Sequence, residues 1–198
     1  NTLNVRRLVK LKSLCAYRSK IVVHNLHCCS QLRHIAVVGT INQNLRQFLV
    51  GYSTDDKAWK LSCLTIGAPG LFDVAFVVKC DAYSAVRKLT ITESPMDTLE
   101  AVVKLVHLRM ITLDCTLVTD VDVLQKCPNL ETIVVRSSVL CAPKTLHKSR
   151  TLLEVDLSGT NVKRMDCPDL VLSESIVFKA GTQERISEEE DERGRAGM

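Results

Sequence analysis

Four segments decide the fold: VRKLTITES (residues 86–94), LRMITLDCT (108–116), LETIVVRSS (130–138) and LLEVDLSGT (152–160). Their first residues, Val86, Leu108, Leu130 and Leu152, are 22 apart at every step. A fixed period of about 20–50 residues marks stacked units and decides the architecture before any local propensity does. Counting the first residue of each unit as position 1, position 4 is Leu89, Ile111, Ile133 and Val155, and position 6 is Ile91, Leu113, Val135 and Leu157. Two residues apart in an extended strand, both side chains point to one face.

The register extends backward. Leu11, Leu32 and Leu61 take position 1, with Leu14, Ile35 and Leu64 at position 4 and Ala16, Val37 and Ile66 at position 6. Spacing widens to 29 between Leu32 and Leu61 and to 25 between Leu61 and Val86; the polar loop YSTDDK (52–57) accounts for the longer unit. Two more apolar columns lie in the returning segments. Position 11 is Ile21, Leu71, Met96, Val118, Leu140 and Val162, and position 17 is Phe48, Val77, Val102, Leu124 and Leu146. One such unit cannot bury its own apolar face; stacking on neighbours does it.

L-x-x-L-x-L-x-x-N/C followed by a return resembles the leucine-rich repeat, over about residues 11–172. The resemblance implies an α/β solenoid, with a curved parallel β-sheet on the concave face and short helices or turns on the convex face. Position 9 departs from the pattern, holding Ser19, Thr40, Pro69, Ser94, Thr116, Ser138 and Thr160 in place of Asn. A hydroxyl still bonds a turning backbone, whereas Pro69 does not. The run TDVDVLQKCPNLE (119–131) is similar to the cysteine-containing, ribonuclease-inhibitor-like branch. Cys127 stands just before the next strand, and Cys29 has the same offset before Leu32.

Residues 1–10 form a basic lead-in, either a frayed end or a partial repeat. Residues 11–182 form the array, and 183–198 a disordered acidic tail, since SEEEDERGR has almost nothing apolar to repay its ordering. The chain begins with Asn, which reads as a piece of a longer one. Strands are expected at 11–17, 32–38 and 61–67, a short amphipathic helix at 42–51 and a convex return at 72–79. Ser94–Pro95 opens a helix with Asp97 in its first turn and Leu99, Val102 and Leu105 or Val106 inward. Thr119 or Asp120 caps the next, with Val121 and Leu124 inward. Pro143 weakens the following return into an irregular turn. Residues 168–172 supply a final strand with Leu170 and Leu172 inward.

The net charge is +4 over 198 residues, but 183–198 holds six acids against three arginines, which leaves the body at +7. Such a body suits acidic partners or RNA. With a mean hydropathy of +0.10, no apolar run reaches the roughly 18 residues of a membrane span. Nine cysteines, an odd number scattered singly except for Cys28–Cys29, read as reduced core or half-buried thiols. That favours an intracellular protein, cytoplasmic with the nucleus as the alternative.

Chemistry finds little support. HNLHCC places His24, His27, Cys28 and Cys29 together with His34 near, but no second pair completes a tetrahedral zinc site. Cys–His pairs are available in His107 with Cys127 and His147 with Cys141, without a sign of a lowered thiol pKa. No glycine-rich phosphate loop is present, and the carboxylate pairs Asp55–Asp56 and Asp120–Asp122 sit in loop or cap contexts. No catalytic residue, metal ligand, cofactor or small-molecule substrate is assigned.

Positions 3, 5 and 7 face away from the core. They present His34, Lys88, Met110, Thr132 and Glu154, then Thr90, Thr112, Val134 and Asp156, then Thr92, Asp114 and Arg136, with Arg33 and Arg109 on the flank. The face is basic in early units and acidic in late ones, a grading that orients a complementary partner. The reading is a non-catalytic protein-interaction scaffold binding a protein on its concave strands, a recognition part of a larger adaptor such as a ubiquitin-ligase subunit. The alternative is RNA association through the basic body, opposed by an aromatic content of 4%.

Overall fold

The computed structural model describes residues 2–18, 22–39, 61–72, 74–78 and 83–181. The expected helix at 42–51, the loop at 52–57 and the tail at 183–198 lie outside them. Ten strands are described: β1 (Thr2–Asn4), β2 (Ser13–Tyr17), β3 (Val22–His24), β4 (His34–Val38), β5 (Cys63–Gly67), β6 (Lys88–Ser94), β7 (Met110–Thr116), β8 (Thr132–Ser138), β9 (Glu154–Thr160) and β10 (Val177–Lys179). Eight of them form one parallel sheet in the order β10-β9-β8-β7-β6-β5-β4-β2. Each unit's strand lies beside the next unit's strand, as the leucine-rich-repeat solenoid requires.

The register follows the column assignment. Leu14, Ile35, Leu64, Leu89, Ile111, Ile133 and Val155 align across the strands. At positions 1, 4 and 6, every side chain from Leu32 to Leu157 is buried. In the first unit, Leu11 and Leu14 are only partly buried, because β2 is an outer strand with a neighbour on one side. Position 11 closes the core from the return side through Leu71, Met96, Val118, Leu140 and Val162, as does position 17 through Val77, Val102, Leu124 and Leu146. Ile21 and Phe48 fall outside the described residues.

The chain passes between strands in a repeated way. The carbonyl at position 2 accepts two backbone N–H groups from the next unit: Lys12 O from Arg33 and His34, Arg87 O from Arg109 and Met110, Glu131 O from Leu153 and Glu154. At position 8 the chain turns through a positive φ in Arg18, Gly39, Glu93, Cys115 and Ser137. The hydroxyls of position 9 then bond the turn. Ser94 Oγ donates to the Leu71 carbonyl and accepts the Met96 N–H at 3.3 Å. Ser138 Oγ accepts the Thr116 N–H at 3.3 Å, and Thr160 Oγ1 donates to Leu157 O at 2.8 Å.

The returns differ from expectation in kind. No helix starts at Ser94–Pro95: Ser94 ends β6, and the helical turn is a 3-10 segment, Val102–Lys104. The Ser94 hydroxyl bridges to the preceding repeat and bonds the Met96 N–H of its own turn, but no helix follows directly from it. Leu99, Val102 and Leu105 are buried and Val106 is exposed. The next return is the 3-10 segment Asp122–Lys126, with Asp120 Oδ1 accepting the Asp122 N–H at 2.7 Å and Val121 and Leu124 inward. After Pro143 comes a single 3-10 turn, Leu146–Lys148. Short helices α1 (Ala75–Val78) and α2 (Pro168–Val171) are the two α-helical pieces described.

Helix α2 corrects the expected final strand at 168–172. Pro168 at a first helical position and Asp169 in the first turn start a helix. Leu170 is buried, but Leu172 is 78% exposed. The last strand is β10, in parallel register with β9 through Phe178 opposite Val155. At the other end, β1 pairs in parallel with β3 and Val5 is fully buried, so the lead-in packs on the first return.

Candidate functional site

The strands' outer side forms an open sheet face. Across it, one row reads His34, Cys63, Lys88, Met110, Thr132, Glu154 and Val177 in register. The next reads Ala36, Thr65, Thr90, Thr112, Val134, Asp156 and Lys179. The third runs Thr92, Asp114 and Arg136, after which β8 and β9 slip so that Arg136 faces Gly159. The expected face residues that lie within the strands are thus on one side of one sheet, whereas Arg33 and Arg109 precede β4 and β7 at the strand entry. β-branched residues fill the middle, where they pack well on a pleated surface. Ala36 and Val134 are buried among their neighbours, while Thr65, Thr90 and Thr112 are half-buried.

Charge is arranged differently from a simple gradient. The acidic end is compensated within the fold. Arg109 Nη1 donates to Glu131 Oε1 at 2.8 Å, and Lys179 Nζ donates to Glu154 Oε1 at 2.6 Å. That hydrogen bond and the Glu154 charge raise the Lys179 pKa. Burial pushes the Asp156 carboxyl up. Two hydrogen bonds from Ser158, together with the charges of Lys179 and Arg136, outweigh burial and hold it below the usual value. The basic end has no such partner: among the described residues, Lys12, Arg33, Arg87 and Lys88 have no carboxylate within 4 Å. Arg33 Nη1 instead donates to the carbonyls of Ser30 (3.2 Å) and Leu32 (2.9 Å).

Two contributors escape a reading of the sequence. Lys12 is the position-2 residue of the first unit, and scanning that column back from Arg109, Arg87 and Arg33 reaches it. Lys179 has no such signal, because its unit carries Ser175 at position 1 and does not look like a repeat.

Among the described residues the catalytic and metal candidates do not come together as a site. Burial pushes the Cys127 thiol up to about 11, the opposite of activation, and His147 lies 3.8 Å from Asp169. Burial and the adjacent Cys28 raise Cys29 as well. The side chains of His24 and His27 lie outside the described residues, as do Asp55 and Asp56. Among the described residues, no three His, Cys, Asp or Glu side chains converge as metal ligands. Asp122 serves the repeat stack, accepting the backbone N–H groups of Lys144 and Thr145 at 2.8 Å each. The thiols divide: Cys29, Cys127 and Cys167 are buried and Cys28 and Cys63 half-buried, as expected, but Cys15, Cys115 and Cys141 are exposed, contrary to the expected core or half-buried placement.

No helix among the described residues is long and apolar enough to cross a membrane. No family model matches the chain, and no curated protein matches it in sequence. Solved structures do match in fold. An internalin (inlF) from Listeria monocytogenes superposes with a TM-score of 0.63 at 14% identity, over 88% of this chain and 48% of that one. An internalin C2 (inlC2) from the same organism gives 0.62 at 12% identity, over 87% of this chain and 72% of that one. The chain therefore spans about half the length of the first. Both are leucine-rich-repeat solenoids built on a parallel sheet, the architecture found here.

Proposed function

We propose that this protein is a non-catalytic interaction module that binds another protein on the open face of its sheet. One observation carries the reading: an eight-stranded parallel sheet leaves a whole face without a covering layer among the described residues. Parallel sheets in globular α/β folds are covered on both faces. A face kept half-polar and solvent-tolerant, with Thr65, Thr90 and Thr112 along its middle, is suited to transient cover by a partner. The raised thiol pKa values of the buried cysteines support a structural role for them and not nucleophilic chemistry. We place the module in a larger intracellular adaptor, such as a ubiquitin-ligase subunit. The buried cysteines before strands β4 and β8, Cys29 and Cys127, favour the ribonuclease-inhibitor-like branch.

The test is affinity capture with the full chain, comparing Thr112→Arg and Arg136→Glu on the face with Lys144→Glu on the return side. All three are first checked for native circular dichroism. Loss of captured protein with the face variants alone is the expected result. Equal capture by all of them overturns the assignment of the face.

A further inference from the structure

The strand-entry rim carries a row of cations which, Arg109 apart, have no carboxylate within 4 Å among the described residues. Lys12, Arg33, Arg87 and Arg109 occupy position 2 of successive units, with Ser62 between Arg33 and Arg87, and Lys88 adjoins the row at position 3. The bonds from Arg33 N to Lys12 O, Ser62 N to Arg33 O, Arg87 N to Ser62 O and Arg109 N to Arg87 O tie these positions in file across β2, β4, β5, β6 and β7. All five cationic side chains are exposed. We propose that this row receives an extended acidic segment of the partner protein, laid across the strands at their entry edge. The proposal rests on the reading of the sheet face as a protein-binding surface and names the chemistry of what binds there.

Charge and length both argue for this occupant. Strands sit about 4.8 Å apart, so β2 to β7 spans roughly 19 Å. An extended chain advances about 3.3 Å per residue, so about six residues cover the row. Alternate residues carrying carboxylates then meet cations whose long stems adjust to the small mismatch in repeat, and the arginines offer two-pronged bonds. The row has a built stop. Arg109 is already bonded to Glu131, and Glu131 itself holds position 2 of the next unit, where the row of cations ends. The segment's acidic stretch therefore belongs over the early units. RNA fits less well, since single strands are held by stacking on aromatic side chains. Among the described residues the aromatic on the sheet's open face is Tyr17, at the exit end of β2, while Phe178 of β10 is buried in the core.

The experiment uses the full chain and a fluorescein-labelled peptide of about twelve residues alternating Ser and Glu, followed by anisotropy at low salt and at about 0.3 M. A single-stranded RNA of matched charge runs in parallel. The expected result is peptide binding that weakens with salt and falls at least about tenfold in R87E/K88E. K144E/K148E, with the same charge change on the return side, stays within about twofold of wild type. Equal loss in both double variants, absence of peptide binding, or tighter RNA binding through Arg87 and Lys88 overturns the proposal. If the peptide fails while captured protein still depends on Thr112, the sheet-face reading stands and the acidic assignment falls. If both fail, the surface itself is wrong.

Discussion

Gly67 lies so close to Thr92 that a methyl group built on it falls 2.2 Å from the Thr92 carbonyl oxygen. Glu93, one residue further on, takes a φ of 48°, and the pairing of β5 with β6 stops at Ile66 and Ile91. Gly67→Ala has to push backbone against backbone. The expected cost is about 1–3 kcal/mol, the range of overpacking. Urea unfolding of the variant measures it; an unchanged midpoint shows that the two strands separate freely there.

Cys115 makes the same turn at a φ of 52°, with an exposed side chain. A left-handed conformation costs a non-glycine residue about 1–2 kcal/mol. Cys115→Gly is expected to be neutral or to stabilise by up to about 1 kcal/mol, since glycine's greater unfolded entropy offsets part of the relief. Cys115→Val is expected to destabilise, because a β-branched side chain tolerates the region worst. Melting temperatures of the pair check this, and Val above Gly in stability contradicts the turn.

Ser138 stands where the repeat pattern has asparagine. Its Oγ accepts the Thr116 N–H, lies 3.3 Å from Thr116 Oγ1 and donates to Arg136 O at 3.0 Å. Ser138→Ala leaves the buried Thr116 groups short of a partner, which costs about 1–3 kcal/mol. Hydrogen exchange at the Thr116 amide reads the effect locally; protection equal to wild type removes the bridge from the account.

Strands and core were readable because two columns of apolar residues, such as Ile111 with Leu113 and Ile133 with Val135, recur at a fixed interval and face one way. The returns were harder. A segment such as 117–131 has room for little more than a single 3-10 turn, and polar residues that read as caps, Asp122 there and Ser94 one unit earlier, serve as links between repeats. Position 8 gave a signal only at Gly39, because Arg18, Glu93, Cys115 and Ser137 are not the residues that announce a left-handed turn. Leu170 and Leu172 alternate like a strand, yet Pro168 starts a helix that turns Leu172 outward. The face residues were legible by parity alone. Their charge balance was not, since Lys179 reaches Glu154 from a unit without a repeat signature.

Burial raises Cys127 and Cys167 to about 11 from an ordinary 9.0, with Asp166 and Asp122 adding to the second. A raised folded-state pKa gives stability that is full below pH 9 and lost as pH climbs toward 11. Unfolding free energy is therefore expected to fall across that alkaline window, and C127A/C167A to flatten the fall. At pH 8, iodoacetamide is expected to alkylate Cys15, Cys115 and Cys141 in native protein, and Cys127 and Cys167 only after unfolding. Labelling of Cys127 in the native state, read by peptide mass, contradicts its burial.

Ile133 and Arg136 sit three residues apart in β8 and answer to opposite environments. Ile133 is fully buried between Ile111 and Val155, whereas Arg136 is exposed beside Asp114. A carboxylate at position 133 has no partner and no water, and stranding it costs several kcal/mol. That is comparable to the whole stability of a domain, about 5–15 kcal/mol, and each unit's core is completed by its neighbours. Ile133→Asp, and Leu113→Asp one strand over, are expected to abolish the cooperative melt. Arg136→Glu faces Asp114 and Asp156 with a like charge in solvent, a loss of no more than about 1 kcal/mol, so the array folds and its binding changes. Circular dichroism separates the cases. A cooperative transition in Ile133→Asp, or an unfolded Arg136→Glu, means the two faces of the sheet have been exchanged.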